Sequence, residues 1–98
     1  MSNFIIEIAT FNLKEGVSPA KFLPLDKAVE EQHVSQQPGF ISRQSAAGDN
    51  GEWLVIVHWD SAENAEASMA SFAAAPAAAE FMANMDATTM SMTRYTAN

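Results

Sequence analysis

Glu7, His33 and His58 are the side chains of this sequence whose type and setting suit proton chemistry. Glu7 stands between Ile6 and Ile8 in an otherwise apolar run. Turned into an apolar pocket, its carboxylate would be a base for an acidic C–H or O–H. Turned the other way, it would pair with Arg43, His58 or Arg94, the arrangement favoured by the cost of burying a lone carboxylate. His33 closes a helical stripe of Phe22, Leu25 and Val29. It would act as base or hydrogen-bond donor to a phenolic ligand at a pocket mouth, or simply as a cation favoured by the helix C-terminal dipole. His58 has the strand parity of Leu54 and Ile56, which fits a ligand contact or a histidine hydrogen-bonded across a sheet or dimer seam. Trp53 and Trp59 share a face with Val55 and Val57, as a stacking surface for a flat aromatic ligand or as plain core. Three of the six methionines, Met85, Met90 and Met92, gather near the C-terminus, where they would line an adaptable cavity or fill gaps. Tyr95, the sole tyrosine, suits a dimer contact better than a catalytic acid.

Absences narrow the chemistry. With no cysteine, thiolate nucleophiles, disulfides, zinc ribbons and iron–sulfur clusters all fall away. The two histidines form neither HxH nor HExxH, so no metal site is expected. The glycine patterns of nucleotide-binding loops and of the hydrolase nucleophile elbow are missing, so no cofactor is expected. Five Lys plus Arg against twelve Asp plus Glu leave a formal net charge of −7, which repels phosphate and argues against nucleic acid and anionic membrane as partners. No apolar run approaches a membrane span, and no basic segment precedes an apolar one at the N-terminus; a cytoplasmic location is the expectation.

Positioning these side chains requires a folded core. At 98 residues, 48% hydrophobic and 17% charged, the chain is expected to form one domain over residues 1–98. Asn3 to Leu13 is rich in Phe, Ile and Thr and apolar on both alternating faces, which reads as a strand covered on both sides. Lys14 to Val17 is a turn, and Ser18-Pro19 starts a helix with Ser as cap. Pro24 predicts a distorted first turn or a later start. Pro38-Gly39 ends this helix, and Phe40 to Ala46 reads as an edge strand. Asn50-Gly51 marks a tight hairpin, leading into a second two-faced strand, Glu52 to Trp59. Asp60-Ser61 caps the next helix, with Glu63 as a capping-box partner to Asp60. That helix covers Ala62 to Ala75, with Ala65, Met69 and Phe72 facing inward. Pro76 opens a short helix, Ala77 to Asn84, whose Phe81 or Met82 faces inward, and Thr88 to Thr96 is the last strand.

The order β-α-β-β-α-β with right-handed crossovers predicts an α+β, ferredoxin-like fold: a four-stranded antiparallel sheet with the first and third strands central. Two helices shield only one face of such a sheet, yet both central strands are apolar on both faces. A homodimer packing sheet face against sheet face would bury the second one.

Pro38-Gly39-Phe40 leading into a strand, and a strand ending Trp59-Asp60-Ser61 before an acidic, Ala-rich helix with Glu63 and Glu66, resemble the antibiotic-biosynthesis-monooxygenase-like family of dimeric α+β barrels. The resemblance covers nearly the whole chain. It implies a homodimer with a pocket between sheet and helices in each subunit, and relatives that include cofactor-independent oxygenases of polycyclic phenols and quinones. Haem-degrading members carry a Trp and a His in the second helix, at positions that fall on Ser68 and Ala78 here; that activity is not carried over. The combined expectation is an apolar pocket lined by Phe22, Val29, His33, Phe40, Met69 and Phe72. In it, His33 or Glu7 would be the base for cofactor-independent oxygenation of a small aromatic or polyketide-like molecule. A non-catalytic ligand-binding module and a purely structural homodimer are the alternatives.

Overall fold

The described residues fold as their apolar periodicities dictate, into four strands and three α-helices. The computed structural model describes residues 4–98; Asn3, where the expected first strand begins, lies outside them. Strands β1 (Ile5–Leu13), β2 (Phe40–Ala47), β3 (Glu52–Trp59) and β4 (Met85–Thr96) form one antiparallel sheet in the order β2-β3-β1-β4. Helices α1 (Pro19–Gln32), α2 (Ala62–Phe72) and α3 (Pro76–Ala83) cover it. The two-faced apolar strands are central, as expected for a ferredoxin-like sheet.

Strand alternation sorts the side chains cleanly. Ile5, Glu7, Phe11 and Leu13 of β1 and Trp53, Val55, Val57 and Trp59 of β3 are buried under the helices. Phe22 of α1 sits among them, meeting Trp53, Phe11 and Phe81 at ring-centroid distances of 5.0, 5.9 and 4.9 Å. On the opposite face Ile6, Ile8, Leu54 and Ile56 are only half-buried, with Ile8 directly opposite Ile56. Phe4, whose ring meets His58 on this face, and Tyr95, opposite Ile6, are exposed. The centre of this face of the sheet is thus apolar and not covered by the helices.

Local chemistry explains the element ends. Ser18 accepts the backbone N–H of Lys21 and Pro19 takes the first helical position of α1. Pro24, expected to disturb the start, neither delays nor interrupts the helix; the carbonyl it leaves without a donor belongs to exposed Ala20, within reach of water. α1 ends at Gln32 rather than at Pro38-Gly39, and a turn of 3-10 helix, Val34–Gln36, fills the interval. Gly39 has φ +82, and a side chain there would collide with Asp60 and Asn64. Asp60 donates its N–H to the Gly39 carbonyl at 2.9 Å, so the Pro-Gly-Phe turn is docked onto the start of α2.

Asn50 and Gly51 both take positive φ, 58° and 81°, as the tight turn between β2 and β3 requires. The cap of α2 is Ser61, which accepts from Asn64 N–H; Asp60 instead accepts the Asn64 side-chain amide, so the expected box with Glu63 is not what holds this end. α2 also stops at Phe72, three residues early, and β4 starts at Met85, before the expected Thr88. The early start of β4 reflects a bulge: Asn12 pairs with Asp86 while Thr10 pairs with Ser91. Thr88 and Thr89 stitch it, Thr88 donating to the Asp86 carboxylate and Thr89 Oγ1 accepting the Asn12 N–H at 2.8 Å.

Candidate functional site

Between the covered face of the sheet and helices α2 and α3 lies a cavity of about 290 Å³. That volume is at the lower end of the range for small-molecule pockets. Ala9 and Phe11 of β1 and Val55, Val57 and Trp59 of β3 form its floor. Met69 and Phe72 of α2 and Phe81 and Met82 of α3 form the roof, and Ala87 and Met90 of the β4 bulge contribute to its wall. Among these apolar residues only Glu7, Arg43 and Ser68 bring polar side chains other than the Trp59 indole.

Two buried carboxylates flank the floor, and each is gripped by a tryptophan and an arginine. Glu7 Oε1 accepts from Trp59 Nε1 at 3.3 Å and Oε2 accepts from Arg94 Nε at 2.8 Å. Asp26 of α1 accepts from Arg43 Nη1 and Nη2 at 2.9 and 2.8 Å, from Ser45 Oγ at 2.8 Å and from Trp53 Nε1 at 3.2 Å. Arg43 Nη1 also donates to Glu30 at 3.3 Å. The period of two along β3 makes this pattern possible, because it turns both indoles to the same face at opposite ends of the strand. Burial alone would raise the Asp26 pKa, but the hydrogen bonds and charge of Arg43, with Ser45 and Trp53, outweigh it and hold this carboxyl below its ordinary value.

The two readings of Glu7, pocket-facing or paired, prove compatible. Arg94 is its register partner on β4 and shares its face, so one carboxylate lines the cavity and is ion-paired at once. Of the other partners considered for it, Arg43 turns to Asp26, and His58 lies on the open face, where it contacts Ser42 Oγ at 2.9 Å through Nδ1.

His33 is not among the cavity-lining residues. It caps α1 and is buried behind Phe72, its Nε2 3.3 Å from Ser71 Oγ and 3.5 Å from the Ser68 carbonyl, its ring 5.9 Å from that of Phe72. It therefore reaches the cavity only through α2. Of the expected apolar walls, Met69 and Phe72 line the cavity. Phe22 and Val29 do not, being fully enclosed in the core beneath α1, and Phe40 packs against the edge of Trp59 at 6.0 Å instead. Met85 and Met90 do line it.

Asp26, Arg43 and Ser68 escaped the sequence reading as site residues. Asp26 had a visible signal: it falls four residues after Phe22 and three before Val29, on the buried stripe itself. Arg43 had none, because a register shift between Phe40 and Ser42 puts Phe40 and Arg43 on the same face, where strict alternation would separate them. Among the described residues no cluster of three His, Cys, Asp or Glu could hold a metal ion, and no helix is long and apolar enough to cross a membrane.

A helix-covered antiparallel sheet of this strand order defines a ferredoxin-like α+β fold, and residues 4–84 match the antibiotic biosynthesis monooxygenase family. The chain belongs to that family. It is similar in fold to SnoaB, a cofactor-independent oxygenase from Streptomyces nogalater, with a TM-score of 0.77 at 18% identity over 99% of this chain and 95% of that one. A protein of Caulobacter crescentus CB15 assigned to the same family superposes with a TM-score of 0.77 at 18% identity, over 99% and 92% of the two chains. A dimeric ferredoxin-like protein of unknown function from Thermobifida fusca YX gives 0.69 at 14% identity, over 98% and 92%. No curated protein matches the chain.

Proposed function

We propose that the protein is a cofactor-independent monooxygenase for a small aromatic or polyketide-like molecule, acting as a homodimer, with Glu7 as the base. The observation that carries this reading is a carboxylate in the wall of a predominantly apolar cavity. Apolar walls take up a flat hydrocarbon skeleton and exclude water, while Glu7 receives a proton from an activated CH₂ group. The resulting carbanion reduces O₂; one oxygen atom enters the product as a carbonyl and the other leaves as water, the electrons coming from the two C–H bonds. His33, which touches Ser68, Ser71 and Phe72, is then a positioning residue for the α2 wall. Oxygen uptake with a panel of anthrones, which carry such a CH₂ group between their rings, tests this: one O₂ consumed per CH₂ converted to carbonyl is expected, and uptake no faster than without protein across the whole panel would overturn it.

Binding without turnover is the second reading, favoured by one observation: both Glu7 oxygens already accept hydrogen bonds. A raised melting temperature with a ligand, and no product, is its signature.

The homodimer rests on the uncovered apolar face. A buried Ile or Leu is worth about 1.5–3 kcal/mol over an exposed one, so joining two such faces outweighs the entropy of association once several are covered. Sedimentation equilibrium at micromolar concentration is expected to give twice the 10.6 kDa subunit mass, and Ile8→Asp, at the centre of the face, to give the monomer. A wild-type monomer would remove the dimer from the proposal.

A further inference from the structure

A cavity meets solvent where its lining residues are exposed. Here the exposed lining residues are Ala73, just beyond α2, Met82 of α3, and Ala87 and Met90 of the β4 bulge. Met82 and Met90 are 37% and 41% exposed. The two alanines carry no reactive group, so the mouth presents two thioethers. The other two methionines of the wall are shielded, Met85 buried and Met69 half-buried. Lining the cavity also puts Met82 and Met90 on the helix side of the sheet, away from the face through which two subunits would pair. A methionine thioether that an oxidant can reach is converted to a sulfoxide, which turns a flexible apolar side chain into a polar one.

We infer that Met82 and Met90 form a modification site at the mouth of the cavity, where oxidation of their thioethers by a peroxide lowers the affinity of the cavity for an apolar ligand. The inference rests on the cavity being a ligand site and adds to it a means of regulation. In the step itself, the methionine sulfur attacks one oxygen of hydrogen peroxide. The O–O bond breaks, an S–O bond forms, the sulfur gives up two electrons, and the second oxygen leaves as water. The sulfoxide oxygen is a hydrogen-bond acceptor that holds water at the opening. An apolar ligand must strip that water while offering no donor in exchange, which costs binding free energy. Met82 and Met90 reach the mouth from different elements, α3 and β4, so a sulfoxide on either one makes the opening more polar. The same exposure that admits the oxidant leaves each sulfoxide open to a reductase, so the change is reversible. Leucine fills nearly the same volume without sulfur, which allows the chemistry to be separated from the shape of the wall.

Timed treatment of the protein with hydrogen peroxide, followed by peptide mass spectrometry, tests the first half of this. Oxygen is expected to appear on Met82 and Met90 about fivefold faster than on Met69, Met85 or Met92. The neutral apolar fluorophore N-phenyl-1-naphthylamine, titrated before and after treatment, tests the second half: the oxidised protein is expected to bind it about fivefold more weakly. Methionine sulfoxide reductases A and B, with dithiothreitol as electron source, are expected to restore the affinity. Met82→Leu combined with Met90→Leu is expected to bind the fluorophore as the wild type does and to keep its affinity through the same treatment. Oxidation of Met85 as fast as of Met82 and Met90 would overturn the site. Unchanged affinity after both are oxidised, or an equal loss in the double leucine variant, would overturn its effect on the cavity and leave the cavity as a ligand site. Failure of the untreated protein to bind the fluorophore would overturn the cavity as a site for such apolar ligands and the regulation with it, wherever the oxygen appears. If the double variant does not fold, the wild-type oxidation rates and the reversal by the reductases decide alone.

Discussion

Asp26→Ala is expected to lower the stability of the fold by about 3–5 kcal/mol, the range seen when one partner of a buried ion pair is removed. Arg43 would remain almost wholly enclosed with only the more exposed Glu30, 3.3 Å away, to answer its charge, and Ser45 and Trp53 would lose the acceptor they share. Small domains hold about 5–15 kcal/mol in all, so the loss is a large share of the total. The readout is the urea midpoint by circular dichroism, with an unchanged slope. Replacing both partners, Asp26→Leu with Arg43→Met, is expected to recover most of the loss, because desolvating the pair consumes much of what its attraction returns. A change below about 1 kcal/mol for Asp26→Ala would mean that the cluster does not tie α1 to the sheet.

The same carboxyl sets an acid limit. Burial works to raise the Asp26 pKa, but the hydrogen bonds and charge of Arg43, with Ser45 and Trp53, keep it below the ordinary value of 3.8. The unfolded chain therefore binds this proton at higher pH than the folded one. The stabilisation from ionised Asp26 is fully present above the unfolded value and is lost as pH falls through 3.8 and then through the lower folded value. In Asp26→Asn that part of the acid slope, below about pH 4, is expected to vanish.

Much of this architecture was legible in the sequence because period-two apolarity in β1 and β3 is strong and because Ser18-Pro19, Asn50-Gly51 and Pro38-Gly39 each have few conformational options. Glu7 stood out for the same reason, a charge breaking an apolar strand. Met85 and Met90 as cavity residues and Phe81 or Met82 as inward-facing were legible too, but the way the site is assembled from them depended on events with no local signature. The shift after Phe40 turned Arg43 inward, the three-residue excess in β4 brought Ala87 and Met90 to the cavity wall, and the termination of α2 at Phe72 let α3 supply Phe81 and Met82 as a second half of the roof. His33 was displaced from the wall for a related reason. The buried stripe of α1 meets the sheet through Phe22, Asp26 and Val29, so the residue one turn further on ends up against the outer shell of α2 rather than inside the cavity.

That displacement separates the two candidate bases. Glu7→Gln is expected to lower kcat for oxygen uptake at least tenfold, about 1.4 kcal/mol of barrier, and as much as a hundredfold if proton abstraction limits turnover. The amide is nearly isosteric, and its oxygen can still accept the Trp59 N–H, so binding is expected to change little. What it lacks is the capacity to take the proton, and the attraction for Arg94 is lost with the charge. His33→Ala removes no group from the cavity wall but loosens the Ser68–Phe72 turn of α2. It is therefore expected to raise KM several-fold with kcat within about threefold of wild type, the pattern of weakened binding equal in ground and transition states. The reverse outcome, full kcat in Glu7→Gln and a tenfold loss in His33→Ala, would move the base to His33. That would require the ring to reach the cavity past Phe72, a rotation of α2 detectable as a change in hydrogen exchange at Ser68 to Phe72 when ligand binds.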